Sequence, residues 1–445
     1  MKILQVLILG GLMSAVSVNA GTIPKHYEEV LENGLQVVVV PLQNKSSVIE
    51  VDVIYKVGSR NEAKGKSGIA HMLEHLNFKS TKNLKAGEFD EIVKKFGGVD
   101  NAYTIFDYTK YYIKTTNKNL AKSLELFAEV MENLTLSDEE FQPERNVVLQ
   151  ERLWRTDNNP TGLLYFEFFN TAFEKHPYHW TPIGFKEDIQ AWRLEDIIAF
   201  HNIYYQPQNA IVLVSGDVEP KEVFANAKKY FGKIKNKTDS IPQVSIKEPA
   251  QNAPKFKQVQ KQSEVEYLAM GYKIPNYLHK DQVALSAISE ILSKGNSSLF
   301  QVELIDKKQL ASGISAYNME LKDEGVFFIM ALANQNVSAK TLQNEIITIL
   351  ERIKKGEISQ EELEKVKIST KASFVYSFED AASTAGVFAN YLAKGDLKPL
   401  FEYESAVENL SIEEIALVAQ KYFVPNTLTT AVIYANKDTK KSATN

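Results

Sequence analysis

The sequence predicts a protein of mixed helices and strands, α/β or α+β in class, built from one domain used twice. The first ground is a repeat. Leu194-Glu195-Asp196-Ile197, then Tyr204-Tyr205-x-Pro207 and the apolar run Ala210 to Val214, recurs 218 positions later. The second copy is Ile412-Glu413-Glu414-Ile415, Tyr422-Phe423-x-Pro425 and Leu428 to Ile433. A helix, a proline turn and a strand repeated without a gap mark a duplicated unit. The second ground is periodicity: Leu35 to Val40 and Val48 to Tyr55 read as strands, Leu120 to Leu134 and Thr341 to Lys354 as helices. Each half is therefore a sheet covered by helices.

In chain order, residues 1–20 read as a secretory signal peptide. Lys2 precedes an apolar run from Ile3 to Met13, and Val18 and Ala20 stand at the −3 and −1 positions of a small-residue cleavage site. The apolar run is too short to span a bilayer, and the absence of a cysteine after it excludes a lipid anchor. The first domain is expected over 21–234 and the second over 256–445. Between them, 235–255 holds Pro242, Pro249 and Pro254 among polar residues and reads as a linker. With 51 basic and 56 acidic residues in 445, the net charge of −5 gives no electrostatic footprint for nucleic acid. The chain has no cysteine, which suits an oxidising compartment and removes thiolates as metal ligands. The expected location is the periplasm.

The chemistry concentrates in His71-Met72-Leu73-Glu74-His75. On a helix, positions 71, 74 and 75 share one face, so two imidazoles and a carboxylate point at one place. Zinc is held by two neutral histidines on adjacent turns, with a carboxylate close enough to take a proton from water that the metal activates. The order His-x-x-Glu-His is the inverse of the commoner zinc-peptidase motif, and both orders satisfy this geometry. A catalytic zinc takes a third protein ligand from a separate element. The run from Ser137 to Arg152 is a helical candidate. Ser137 and Glu140 have capping-box spacing, and Glu144 and Glu151 lie two turns apart on one face, with Val147 and Val148 beside them facing inward.

Two further stretches carry polar groups. Gly97-Gly98 leads into an alternating run from Asn101 to Tyr112, expected as a turn into a strand; at a sheet edge such a strand pairs with extended peptides. An ordinary hairpin is the competing reading. His176-Pro177-Tyr178-His179 holds two histidines whose spacing, with Pro177 between them, does not align both rings on one helix face; a loop near the cleft is expected rather than a second metal site.

The motif His71-x-x-Glu74-His75, followed by Glu144-Arg-x-Val-Val-x-x-Glu151, resembles the pitrilysin family of zinc peptidases, which includes insulin-degrading enzyme and the mitochondrial processing peptidase. Gly58-Ser59-Arg60-Asn61-Glu62 and Phe96-Gly97-Gly98-Val99-Asp100-Asn101-Ala102-Tyr103-Thr104-x-x-Asp107 are similar to family signatures. The resemblance covers the chain after residue 25. It implies an α+β fold of two homologous domains, each a mixed β-sheet covered by helices mainly on one side, together half of a clamshell. It also implies Zn2+ on His71, His75 and Glu151, Glu74 as general base, Glu144 as a carboxylate orienting a ligand, and Asn101 and Ala102 as substrate contacts. In the repeat register His71, Glu74, His75 and Glu151 fall on Ala287, Glu290, Ile291 and Ser373, so the second domain lacks the ligands.

One departure bears on partners. Relatives carry an Arg and a Tyr, seven residues apart, in the second domain, which reach across the chamber to the substrate; here Ile305 and Ser312 occupy those places, with Tyr317 nearby but out of register. Neither can donate as Arg and Tyr do. The expectation is a heterodimer with a metal-free relative that supplies the pair, and a homodimer is the alternative. The expected activity is a periplasmic zinc endopeptidase acting on short or unfolded peptides. A non-catalytic scaffold subunit and a peptide-binding protein are the rival classes.

Overall fold

In the computed structural model the described residues are 22–44 and 46–435, and the signal-peptide expectation for 1–20 lies outside them. The first sheet contains β1 (Tyr27–Val30), β2 (Gln36–Pro41), β3 (Val48–Tyr55), β4 (Val99–Thr104), β5 (Thr109–Thr116) and β6 (Ala210–Gly216), in the order β1-β2-β6-β3-β5-β4. The second contains β7 (Lys255–Gln258), β8 (Tyr267–Ile274), β9 (Ala311–Met319), β10 (Gly325–Ala333) and β11 (Leu428–Ile433), in the order β7-β11-β8-β10-β9. In each sheet one strand pair is parallel, β2 with β6 and β7 with β11, and the rest are antiparallel. Apart from β1, the second sheet repeats the first.

The helices of the first half are α1 (Ile69–Leu76), α2 (Glu88–Lys95), α3 (Leu120–Asn133), α4 (Asp138–Arg152), α5 (Pro160–Ala172), α6 (Lys186–Ala191), α7 (Leu194–Tyr204) and α8 (Pro220–Phe231). Those of the second are α9 (Gln282–Ser293), α10 (Ala339–Lys354), α11 (Gln360–Ser377), α12 (Ala381–Lys394), α13 (Lys398–Glu408) and α14 (Ile412–Tyr422). The repeated segment accordingly appears as α7–β6 and α14–β11.

Each sheet packs its own helices on one face. Val37, Val51, Val53 and Val212 of the first sheet join Met72 and Leu73 of α1, Leu124 of α3 and Phe200 of α7 in one core. The other face is covered by a helix from the opposite half. Val38, Val40, Ile54, Ile211 and Leu213 meet Phe388, Ala389 and Leu392 of α12. Reciprocally, Leu164, Phe168 and Phe169 of α5 lie on Ala269, Phe328 and Ala431 of the second sheet. Strands buried on both faces read as unbroken apolar runs, which is why Val37-Val38-Val39-Val40 shows no polar alternation. α5 is apolar almost all round, as a helix held between two layers requires.

An ion cluster joins the halves. Arg60 Nε donates to Asp323 Oδ2 at 2.5 Å, and His176 Nε2 meets the same oxygen at 3.0 Å. Asp107 accepts from Tyr178 Oη (2.6 Å) and from the Lys322 backbone N–H (2.9 Å). Residues 235–254 form no helix or strand. They are tied down: Glu248 accepts from the backbone N–H groups of Glu174, Lys175 and His176 at 2.8–3.0 Å.

One expectation is corrected. The run from Asn101 to Tyr112 is not one strand but parts of two, β4 and β5, paired antiparallel through a turn at 105–108. The turn, Ile105-Phe106-Asp107-Tyr108, holds neither glycine nor proline, so no turn signal interrupts the run. β4 is the edge of its sheet.

Candidate metal centre

Three elements build the site. α1 carries His71, Glu74 and His75, α4 carries Glu144 and Glu151, and β4 carries Thr104. The start of α1 is fixed by Glu62, whose two carboxylate oxygens accept the N–H groups of Gly68 and Ala70, both at 2.8 Å. A carboxylate there satisfies donors that the helix leaves unpaired and complements the helix dipole. Gly68 turns the chain into the helix with φ +87°; a Cβ at that position would stand 2.8 Å from the Trp192 ring. Both facts make the approach to α1 rigid.

On α1 the His71 and His75 rings are 4.7 Å apart at 79°. Glu151 Oε2 lies 3.5 Å from His71 Nε2 and 3.3 Å from His75 Nε2. One ligand atom from each of His71, His75 and Glu151 falls within 4.8 Å of the others. Glu151 Oε2 is buried and has no hydrogen-bond partner. A buried carboxylate oxygen left unpaired against two imidazole nitrogens is costly unless a cation lies among them. Two histidines and one carboxylate are a donor set for zinc, so the three residues fit that ion.

The surroundings orient these groups. Glu144 Oε1 is 2.8 Å from His75 Nδ1, and Lys79 Nζ pairs with Glu144 Oε2 at 2.6 Å. Nδ1 is thus held as the donor, which leaves Nε2 to ligate. Arg155 Nη1 holds the other Glu151 oxygen at 2.8 Å. Thr104 Oγ1 donates to Glu74 Oε2 at 2.6 Å. Burial, helped by the neighbouring His75, lowers the His71 imidazole to about 4, so it is neutral at pH 7. Burial also disfavours charged His75, but the Glu144 and Glu151 carboxylates outweigh it and raise the ring to about 9. The Glu74 carboxyl is raised by burial, against the opposing Thr104 bond. Burial tends to raise Glu144 and Glu151 as well, but their partners hold both below the usual carboxylate range.

Two local expectations on α4 are corrected. Val148 is fully buried, but Val147 is 49% exposed, because the inward face of α4 runs along Phe141, Glu144, Val148 and Arg152 and Val147 lies round the helix from it. Ser137 precedes α4 without a side-chain cap bond. Glu140 turns instead to the Ser80 backbone N–H at 3.2 Å, because a tertiary donor competes for it. The matching capping box in the second half, Ser359 with Glu362, does form.

Asn101 and Ala102 lie on the exposed edge strand, where Asn101 Oδ1 accepts the Ala102 N–H at 2.8 Å. His176 and His179 stand apart from the metal centre: His176 belongs to the interdomain cluster, and His179 Nε2 meets Asn170 at 2.8 Å. Sequence reasoning missed Lys79 and Arg155; Arg155 stands four residues after Glu151, a spacing at which side chains meet along a helix, whereas Lys79 lies beyond the end of α1 at Leu76. It missed Thr104 as a Glu74 partner, and no spacing rule links a strand to a distant helix.

In the second half α9 and α11 take the places of α1 and α4. Glu290 accepts from Ser369 at 3.2 Å, and Lys294 Nζ reaches Glu290 Oε1 at 2.9 Å and Ser373 Oγ at 3.1 Å. A lysine ammonium therefore supplies the positive charge at the counterpart of the metal centre. Ile305 is half-buried beside the second core and Ser312 is exposed.

Residues 37–179 match the family model described as Insulinase (Peptidase family M16), and 191–370 match Peptidase M16 inactive domain. The chain is 55% identical to Zinc protease PqqE of Helicobacter pylori, over 97% of this chain and 100% of that protein. The crystal structure of a protease from Helicobacter pylori superposes with a TM-score of 0.91 at 56% identity, covering 93% of this chain and all of that one. The periplasmic protease PqqL from Escherichia coli shares the fold, with a TM-score of 0.76 at 20% identity over 95% of this chain and 48% of that one. No helix among the described residues is long and apolar enough to cross a membrane. The matching models, the relative of equal length and the inverted motif on α1 place this chain in the pitrilysin–insulinase family of zinc peptidases, M16.

Proposed function

We propose that this chain is a zinc-dependent endopeptidase that hydrolyses short or unfolded peptides. The observation that carries the reading is the convergence of His71, His75 and Glu151 on one point, with Glu74 beside them and held by Thr104. Bound zinc would act as a Lewis acid, making water acidic enough to ionise near neutral pH and polarising a peptide carbonyl. Glu74 takes the proton from the attacking water, holds it while the carbonyl carbon becomes tetrahedral, and passes it to the departing amine. Burial that raises the Glu74 carboxyl brings its proton affinity nearer neutral pH, as a base that must also act as acid requires. Glu144 keeps His75 in the tautomer that ligates, and Arg155 orients Glu151. The edge of β4 at Asn101 and Ala102 offers backbone groups to an extended substrate, which suits many sequences.

The signal segment, together with the fold shared with a periplasmic protease of Escherichia coli, supports a periplasmic location. The boundaries 21–234, 235–255 and 256–445 describe the working units. A second chain completes the chamber. Because Ile305 and Ser312 cannot donate as an Arg and a Tyr do, a metal-free relative carrying that pair is the favoured partner over a second copy.

The test is metal content and cleavage of quenched unstructured peptides by the mature chain, beside Glu74→Gln. The expected result is about one zinc per chain in both proteins and a loss of about 10²–10⁴-fold in cleavage with Glu74→Gln. A chain that binds no zinc refutes the reading. Zinc-loaded chain that cleaves only after a metal-free relative is added supports the heterodimer, and efficient cleavage by the chain alone counts against it.

A further inference from the structure

The two halves touch at equivalent places. β4 and β5 close one end of the first sheet, and β9 and β10 close the same end of the second, so the turns at 105–108 and 320–324 are counterparts in the repeat. These turns bond to each other. The Lys322 N–H donates to Asp107 Oδ2 at 2.9 Å. Tyr178 Oη bridges the pair, donating to Asp107 Oδ1 at 2.6 Å and accepting the Asp323 N–H at 3.2 Å. Asp323 Oδ2 accepts from Arg60 Nε at 2.5 Å, and the backbone N–H groups of Ser59 and Arg60 donate to the carbonyls of Ile105 and Phe106 at 3.2 and 2.8 Å. Gly58 permits that approach, because a Cβ there would fall 2.2 Å from the Ile105 oxygen.

The second turn is itself fixed. Lys394 Nζ, buried in α12, donates to the Glu320 carbonyl at 2.8 Å, and the Tyr277 N–H donates to the Leu321 carbonyl at 3.0 Å. Asp107 and Arg60 are buried, so water does not compete for their bonds. The first turn is therefore gripped from the second domain, through Asp107 on one side and through Asp323 and Arg60 on the other.

What the grip reaches is Thr104. It is the last residue of β4, directly before the turn, and its hydroxyl is the 2.6 Å donor to Glu74 Oε2. Among the described residues no other side chain hydrogen-bonds the Glu74 carboxylate. β4 is an edge strand paired only with β5, so its end has fewer bonds to hold it than an inner strand has.

We propose that the 320–324 turn of the second domain is a positioning element for the reaction, with Asp323 as its positioning residue: it fixes the 105–108 turn and so holds Thr104 against the base Glu74. The inference rests on the peptidase reading. It gives the second copy of the domain a task that survives the loss of its own ligands, since its hairpin turn steadies the corresponding hairpin of the first.

The test is a double-mutant cycle on the full mature chain, with the partner present if cleavage needs it: Asp323→Ala, Thr104→Val and the two combined. Leu350→Ala, in the second domain's core, is a control that loses stability without touching either turn. Peptide cleavage, zinc content and circular dichroism are measured at a temperature where every variant is folded, and Asp323→Asn replaces Asp323→Ala if the latter does not fold. Asp323→Ala should lower kcat by about tenfold or more while KM stays within about twofold and zinc is retained, because a displaced base slows chemistry rather than binding. In the Thr104→Val background the same change should cost less than about twofold, because residues acting through one contact are not additive. Leu350→Ala should leave kcat unchanged. An equal loss in both backgrounds, an unchanged kcat in Asp323→Ala, or a matching loss in Leu350→Ala overturns the positioning role and leaves the peptidase reading standing. A zinc-loaded parent that cleaves nothing, alone or with a partner, refutes the peptidase reading and the positioning role with it.

Discussion

Replacing Glu144 by alanine tests whether a carboxylate outside the ligand set controls metal affinity. The change removes the 2.8 Å contact to His75 Nδ1 and strips Lys79 of its 2.6 Å partner. A hydrogen bond to a charged group contributes about 1.5–3 kcal/mol. At about 1.4 kcal/mol per tenfold, zinc binding should weaken by about 10- to 150-fold, in the range found for outer-sphere carboxylates elsewhere. Glu144→Gln keeps an oxygen that can accept from Nδ1 but loses the charge, so about tenfold is expected. Lys79→Met leaves the His75 contact in place and should change less than either. Competition with a chromogenic chelator measures each dissociation constant, and circular dichroism checks that the fold is kept. A Glu144→Ala protein that binds zinc within about twofold of the parent would show that packing alone orients His75, with no role left for Glu144.

Other outcomes follow from the same contacts. Residues 22–234 expressed alone should not give a stable monomer. Five fully buried side chains (Val38, Val40, Ile54, Ile211, Leu213) lose the cover of α12. At about 1.5–3 kcal/mol each, the loss is on the order of 10 kcal/mol, as large as a typical domain's whole stability, and sedimentation with hydrogen exchange would reveal a folded monomer if the reasoning is wrong. Phe388→Ala, at 0% exposure in α12, should lower stability of the intact chain by about 3–5 kcal/mol in urea unfolding. Asp323 is raised by burial, but bonds to His176 and Arg60 outweigh this and hold its carboxyl down at about 2, against an ordinary 3.8. A depressed carboxylate stabilises the fold above its unfolded value and loses that contribution as pH falls from 3.8 towards 2. Asp323→Asn should therefore lower stability at pH 6 and flatten its decline across that interval; parallel pH profiles for the two proteins would count against a stabilising role for the Arg60–Asp323–His176 cluster. Removing zinc with a chelator should lower the thermal midpoint, because an ion that binds only the folded state stabilises it by mass action.

The sequence by itself determined the duplication, the class of the fold and the residues that converge at the candidate metal centre. Those readings rest on local regularities. A helix brings positions 71, 74 and 75, or 144 and 151, to one face whatever surrounds it, and a repeat at constant spacing survives in any fold. What the tertiary structure decided depends on residues far apart in the chain. Glu140 left its capping box for Ser80, because a distant donor that local spacing cannot name competed for it. Val147 turned to solvent because the inward face of α4 runs past it, and the run from Asn101 to Tyr112 folded as a hairpin with neither glycine nor proline at its turn. Thr104 on Glu74, Asp323 on Arg60 and His176, and the exchange of α5 and α12 between the halves join segments tens to hundreds of residues apart. The apolar residues of α5 and α12 suit both helices to burial. Which sheet buries them is set by the packing of two half-covered sheets, each of which has one apolar face left over and only the other half's helix to cover it.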